Sequence, residues 1–66
     1  MQVLVNGSYE QLAPGTTVGE LIAHMALAGR RVAVERNGEI VPRSTHAQVV
    51  LAEGDRVEIV VAVGGG

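Results

Sequence analysis

Apolar and polar positions along this chain change their period at each turn signal. Met1 to Val5 (MQVLV) is short, apolar and β-rich, and it runs into Asn6-Gly7. That dipeptide suits a type I′ hairpin because both residues tolerate positive φ. Ser8 to Leu12 (SYEQL) alternates polar and apolar, the pattern of an exposed returning strand. After Pro14-Gly15 the period becomes helical. Thr17-Val18-Gly19-Glu20 has the form of a capping box, and Val18, Leu21, Ile22 and Met25 recur on one face behind it. Gly29 offers a stop, and Arg30 and Arg31 suit the negative end of a helix dipole, which predicts a helix over 18–28.

Strand periodicity then returns. Val32 to Arg36 (VAVER) alternates, Asn37-Gly38 supplies a second tight turn, and Glu39-Ile40-Val41 follows until Pro42, which cannot donate to a ladder. Ser44 to Gln48 (STHAQ) fits one capped helical turn before Val49, Val50 and Leu51, and Glu53-Gly54-Asp55 turns the chain into a last strand, 56–63. In that strand Val57, Ile59, Val61 and Val63 face one way, and Glu58, Val60 and Ala62 the other. Apolar residues on both faces mark a central strand with neighbours on each side. The order ββαββ, with Val18, Leu21, Ile22 and Met25 packed on Val3, Val5, Val32, Val34, Val57, Ile59 and Val61, predicts an α+β fold. It is the ubiquitin-like β-grasp pattern: a four- to five-stranded mixed sheet, first and last strands side by side at its centre, with one main helix on one face. The expected organisation is one domain over 1–63 followed by a flexible glycine tail, 64–66.

Composition narrows the chemistry. Sixty-six residues fit one small core, and 47 % hydrophobic residues against 18 % charged indicate a folded chain rather than a disordered one. Tyr9 is the sole aromatic residue, so the core is aliphatic and no stacking platform for bases exists. The cations are five scattered arginines, Arg30, Arg31, Arg36, Arg43 and Arg56, in a chain of net charge −2. A nucleic-acid partner, which needs a clustered basic face, is not expected. With no cysteine, disulfides, thiolate metal sites and a cysteine nucleophile are excluded. MQVLVNGSYE has no signal-peptide pattern and the apolar run 59–63 is too short to span a bilayer, so no membrane role is expected and the cytoplasm is the expected compartment.

Candidate reactive residues are few. His24 and His46 are isolated from other ligand types, which favours structural roles and no metal site. Glu53-Gly54-Asp55 lacks the spaced oxygen ligands of a calcium loop and reads as a turn. A domain of this size holds no obvious cleft for a catalytic triad, so no catalytic residue of its own is expected. The tail remains. Gly64-Gly65-Gly66 leads into no helix and so is not a phosphate loop. It is either a frayed end or a chain end without side chains, able to thread a narrow cleft and adopt any φ/ψ another protein demands. A carboxylate is a poor electrophile, and attaching anything to it requires prior activation, for instance as an acyl-adenylate. The body would then act as a rigid handle whose contacts offset the entropy of ordering the tail. Leu4, Val60 and Ala62 are expected on the sheet face opposite the helix, close to the tail, as a partner-docking patch.

The segments MQVLVNG, PGTTVGELI, RNGEIVPRS, LAEGDRVEIV and AVGGG together resemble the ThiS family of sulfur-carrier proteins in thiamin-thiazole biosynthesis, over the whole chain. The resemblance implies a protein substrate rather than an enzyme. An E1-like adenylyltransferase (ThiF) would use ATP to adenylate Gly66, and sulfur from a cysteine desulfurase relay would replace AMP to give a C-terminal thiocarboxylate. Thiazole synthase (ThiG) would take that sulfur. The carrier itself would bind no cofactor. Gly65 and Gly66 match the family's diglycine, while Gly64 and Val63 would be recognised with the tail. The alternatives are the small subunit of molybdopterin synthase, a modifier conjugated to lysines, and an interaction module whose glycines are inert. The short length and near absence of aromatic residues favour the thiazole pathway over the molybdopterin subunit.

Overall fold

The computed structural model describes residues 1–62. The expectations placed on Val63, Gly64, Gly65 and Gly66 lie outside the described residues. Five strands, β1 (Gln2–Val5), β2 (Ser8–Gln11), β3 (Val32–Arg36), β4 (Glu39–Ile40) and β5 (Arg56–Val61), form one sheet in the order β2-β1-β5-β3-β4. β1 and β5 run parallel at the centre, and every other pairing is antiparallel. The two Asn-Gly turns adopt the positive φ expected of them, 49° and 84° at Asn6 and Gly7, 52° and 87° at Asn37 and Gly38.

One helix, α1 (Val18–His24), covers one face. Its capping box is complete. The Thr17 hydroxyl accepts from the Glu20 N–H at 3.1 Å, and the Glu20 carboxylate accepts from the Thr17 N–H at 2.9 Å. Val18, Leu21 and Ile22 are buried against Val3, Val5, Val34, Val57 and Ile59. Leu12, Val41 and Leu51 complete the core from the connections, whereas Met25 and Val32 pack only partly against it. Val61 is half-buried rather than a core member.

α1 ends earlier than the predicted 28. Ala26 takes φ 62°, the Leu27 N–H donates to the Ile22 carbonyl and the Ala26 N–H to the Ala23 carbonyl, each at 3.0 Å. These two bonds make a Schellman cap, and the chain turns away at Ala26 rather than Gly29 because the turn carries Leu27 onto the core. The left-handed conformation at a residue bearing a Cβ costs about 1 kcal/mol. Ala26→Gly is therefore expected to stabilise the fold by about 0.5–1 kcal/mol, read as a raised thermal midpoint.

The segment after Pro42 forms a 3-10 turn, Arg43–Thr45, one residue earlier than the sequence pattern placed it. Its start carries no side-chain cap, and Thr45 instead bonds back to the Pro42 carbonyl through both its N–H and its hydroxyl. This turn presents the His46 carbonyl to the Gly19 N–H at 2.8 Å, an approach a Cβ at Gly19 would crowd at 3.3 Å. Thr17 and Val50 form an isolated antiparallel bridge, so the connection before β5 is tied to the start of α1.

Candidate functional site: the root of the C-terminal tail

The region of interest is the end of β5, from which the glycines follow. β5 is held on both flanks by the side chains of the two turn asparagines. On the β1 side, Asn6 extends the ladder after β1 has stopped. Its N–H donates to the Val57 carbonyl at 2.9 Å, its Oδ1 accepts from the Ile59 N–H at 2.7 Å, and its Nδ2 donates to the Ile59 carbonyl at 3.1 Å. The side-chain amide thus stands in for one further residue of β1. On the β3 side, Asn37 Oδ1 accepts from the Arg56 N–H at 2.9 Å, and its Nδ2 donates to Asp55 Oδ1 at 3.0 Å.

Asp55 anchors the start of β5. It is buried, and its carboxylate also accepts from Arg36 Nε and from the Ala52 N–H, both at 2.8 Å. Burial pushes the Asp55 carboxyl up, but the Asn37 amide, the Ala52 N–H and the bond and charge of Arg36 together outweigh it. They hold the carboxyl below its ordinary value of 3.8. Sequence reading gave Glu53-Gly54-Asp55 only as a turn and the asparagines only as positive-φ residues. The signal for more was that Asn stands at two left-handed positions that Gly would also serve.

The face of the sheet away from α1 carries the predicted docking residues, though not as one cluster. Val60 is 64 % exposed and lies opposite Ala33 of β3, and Ala62 is exposed just beyond it. Leu4 shares the face but is half-buried and pairs with Arg56 and Tyr9. Val60 stands four residue steps beyond Arg56 along β5, about 13 Å at strand rise, so Leu4 does not gather with Val60 and Ala62 as expected. The parallel register of β1 against β5 is the reason, since β1 ends level with Val57. Leu4 instead lines an open depression of about 440 Å³ with Gln2, Tyr9, Asn37, Glu53, Gly54 and Arg56.

Neither histidine enters this region as a reactive group. His24 is exposed on α1, and His46 is buried with Nε2 3.1 Å from the Val41 carbonyl, a structural contact. No group of His, Asp and Glu among the described residues could hold a metal ion, and no helix among them is long and apolar enough to cross a membrane.

Among the described residues, one α-helix packed on a five-stranded sheet whose central last strand is held on both flanks as far as Ile59 defines a ubiquitin-like β-grasp protein. The ThiS family model matches residues 3–66. The chain belongs to the ThiS family. It is 35 % identical to the sulfur carrier protein ThiS of Escherichia coli over the full length of both chains. The crystal structure of a thiamine biosynthesis protein (ThiS) from Geobacter metallireducens superposes with TM-score 0.83 at 33 % identity, covering 100 % of both chains. A thiazole synthase of Paramagnetospirillum magneticum is 44 % identical over all 66 residues, but the chain spans only 20 % of that protein's length.

Proposed function

We propose that this chain is a sulfur carrier of thiamin biosynthesis, a protein substrate with no catalytic group of its own. The observation that carries the reading is a family match running through the glycine end to Gly66, on a domain whose central strand leads directly to that end. The Gly66 carboxylate is the reactive group. An E1-like adenylyltransferase attacks the α-phosphate of ATP with it, pyrophosphate leaves, and the carboxylate becomes an acyl-adenylate. The terminal sulfur of a persulfide supplied through a cysteine desulfurase then attacks the acyl carbon and expels AMP. A thiol reductant cleaves the resulting acyl disulfide to leave a thiocarboxylate that thiazole synthase consumes. The occurrence of this domain within a protein named thiazole synthase supports that enzyme as the sulfur acceptor.

Body and tail divide the work. Gly64, Gly65 and Gly66 bring no side chains to obstruct a partner's cleft, and Val63 is recognised with them. The exposed pair Val60 and Ala62 supplies apolar contact at the mouth of that cleft. Burying Val60 contributes roughly 1–2 kcal/mol of binding. Val60→Asp is expected to weaken binding to thiazole synthase at least about tenfold, with little loss of thermal stability because the side chain lies outside the core. Titration calorimetry checks this, and unchanged affinity would remove Val60 from the interface. The functional reading itself is tested by supplying the thiocarboxylate form to thiazole synthase with its small-molecule substrates. Thiazole phosphate should accumulate in proportion to carrier, and its absence would contradict the reading.

A further inference from the structure

The ladder on the two flanks of β5 stops at different places. In an antiparallel pair, hydrogen-bonded and non-bonded positions alternate. The bonds from Ala62 N–H to the Arg31 carbonyl (2.8 Å) and from Asn37 N–H to the Arg56 carbonyl (2.7 Å) identify the even-numbered residues of β5 as those that bond toward β3. The odd-numbered residues direct N–H and C=O to the opposite flank. Val57 meets β1 there, and Ile59 meets the Asn6 side chain on both its N–H and its carbonyl. Val61 comes next, and neither of its main-chain groups has a partner on that flank among the described residues. The Asn6-Gly7 turn has by then carried the chain away into β2.

We propose that an extended segment of thiazole synthase pairs with Val61 on this flank, exchanging main-chain hydrogen bonds with its N–H and C=O and continuing the sheet where Asn6 stops. The inference rests on the sulfur-carrier reading and adds how the partner grips the tail root. Three structural features converge on it. The groups offered are main-chain donor and acceptor at strand spacing, which an extended peptide matches and a helix does not. β5 is rigidly held up to Ile59 from both sides, so the edge is presented without an ordering cost at that point. Val60, on the adjoining open face, gives the incoming segment an apolar side chain to pack against.

Amide hydrogen exchange read residue by residue tests the proposal, on the free chain and on the chain saturated with thiazole synthase. In the free chain the Val61 amide should exchange much faster than that of Ile59, which is held by Asn6. In the complex Val61 should slow by about tenfold or more, the equilibrium shift of one good main-chain bond. A synthetic chain with an ester in place of the Val61 amide keeps every side chain, removes that N–H, and otherwise weakens only the Val60 carbonyl, which faces β3 rather than the proposed flank. It should retain exchange protection at Val57 and Ile59 and bind the enzyme roughly 3–10-fold more weakly. If the enzyme binds and accepts sulfur while Val61 exchanges as fast as in the free chain, the strand pairing is wrong and the carrier reading stands. If the chain does not bind the enzyme at all, both fall together.

Discussion

A chain lacking Gly66 is expected to accept neither AMP nor sulfur while melting at the same temperature as the full chain. Activation requires the carboxyl carbon to reach the α-phosphate of ATP in line, and a chain one residue short withdraws it by about 3.4 Å. Displacements near 1 Å can already cost a hundredfold at a reacting centre, so loading should fall below detection. Stability should not follow. The core is assembled from Val3 to Ile59, and the ladder among the described residues ends with the Ala62 N–H. Intact-mass measurement of the loading reaction, beside a melting curve, separates the two effects. A truncated chain that still loads would move the reactive group away from Gly66.

The largest loss of stability is expected at Asp55. Asp55→Ala removes the acceptor of three hydrogen bonds and leaves the Arg36 guanidinium without its partner, in a site only 7 % exposed. The cost should be about 2–4 kcal/mol, a large part of the stability of so small a domain, and a drop of roughly 10 °C or more in thermal midpoint. The pH dependence has a definite sign. Because the folded Asp55 titrates below 3.8, its contribution is complete above that value and disappears as pH falls through the lower folded value. Asp55→Asn, which keeps the shape, should show a flatter acid limb than the parent below pH 3.8. Superimposable acid limbs would show that the carboxylate is not what holds the start of β5.

Most of the architecture could be read from local signals. Asn6-Gly7 and Asn37-Gly38, the capping box at Thr17 and Glu20, and apolar residues on both faces of 56–63 each act within a few positions, and together they select the β-grasp order. What escaped was set by contacts distant in sequence. Ala26 carries no intrinsic preference for a left-handed cap; the pull of Leu27 toward the core places it there. Leu12, Val41 and Leu51 lie in connections, in apolar stretches too short to show the periodicity that identifies a buried face. The face that Leu4 shares with Val60 is readable from the alternation, but the offset of β1 along β5 that separates them is not. The same holds for the asparagines, whose backbone role is local while their grip on Ile59 and Arg56 spans 53 and 19 residues. The glycine end was recognisable by composition and position alone, since its role depends on a partner rather than on the fold.

Intact-mass spectrometry of the 66-residue chain with ATP and an E1-like activating enzyme, with and without a cysteine desulfurase, cysteine and a thiol reductant, tests the central claim most directly. Without the sulfur source the chain should gain one AMP. With it, the AMP should be replaced by a single oxygen-to-sulfur exchange, localised to Gly66 by fragmentation. A chain whose mass stays unchanged in both reactions, beside an Escherichia coli carrier that loads under the same conditions, would contradict the account.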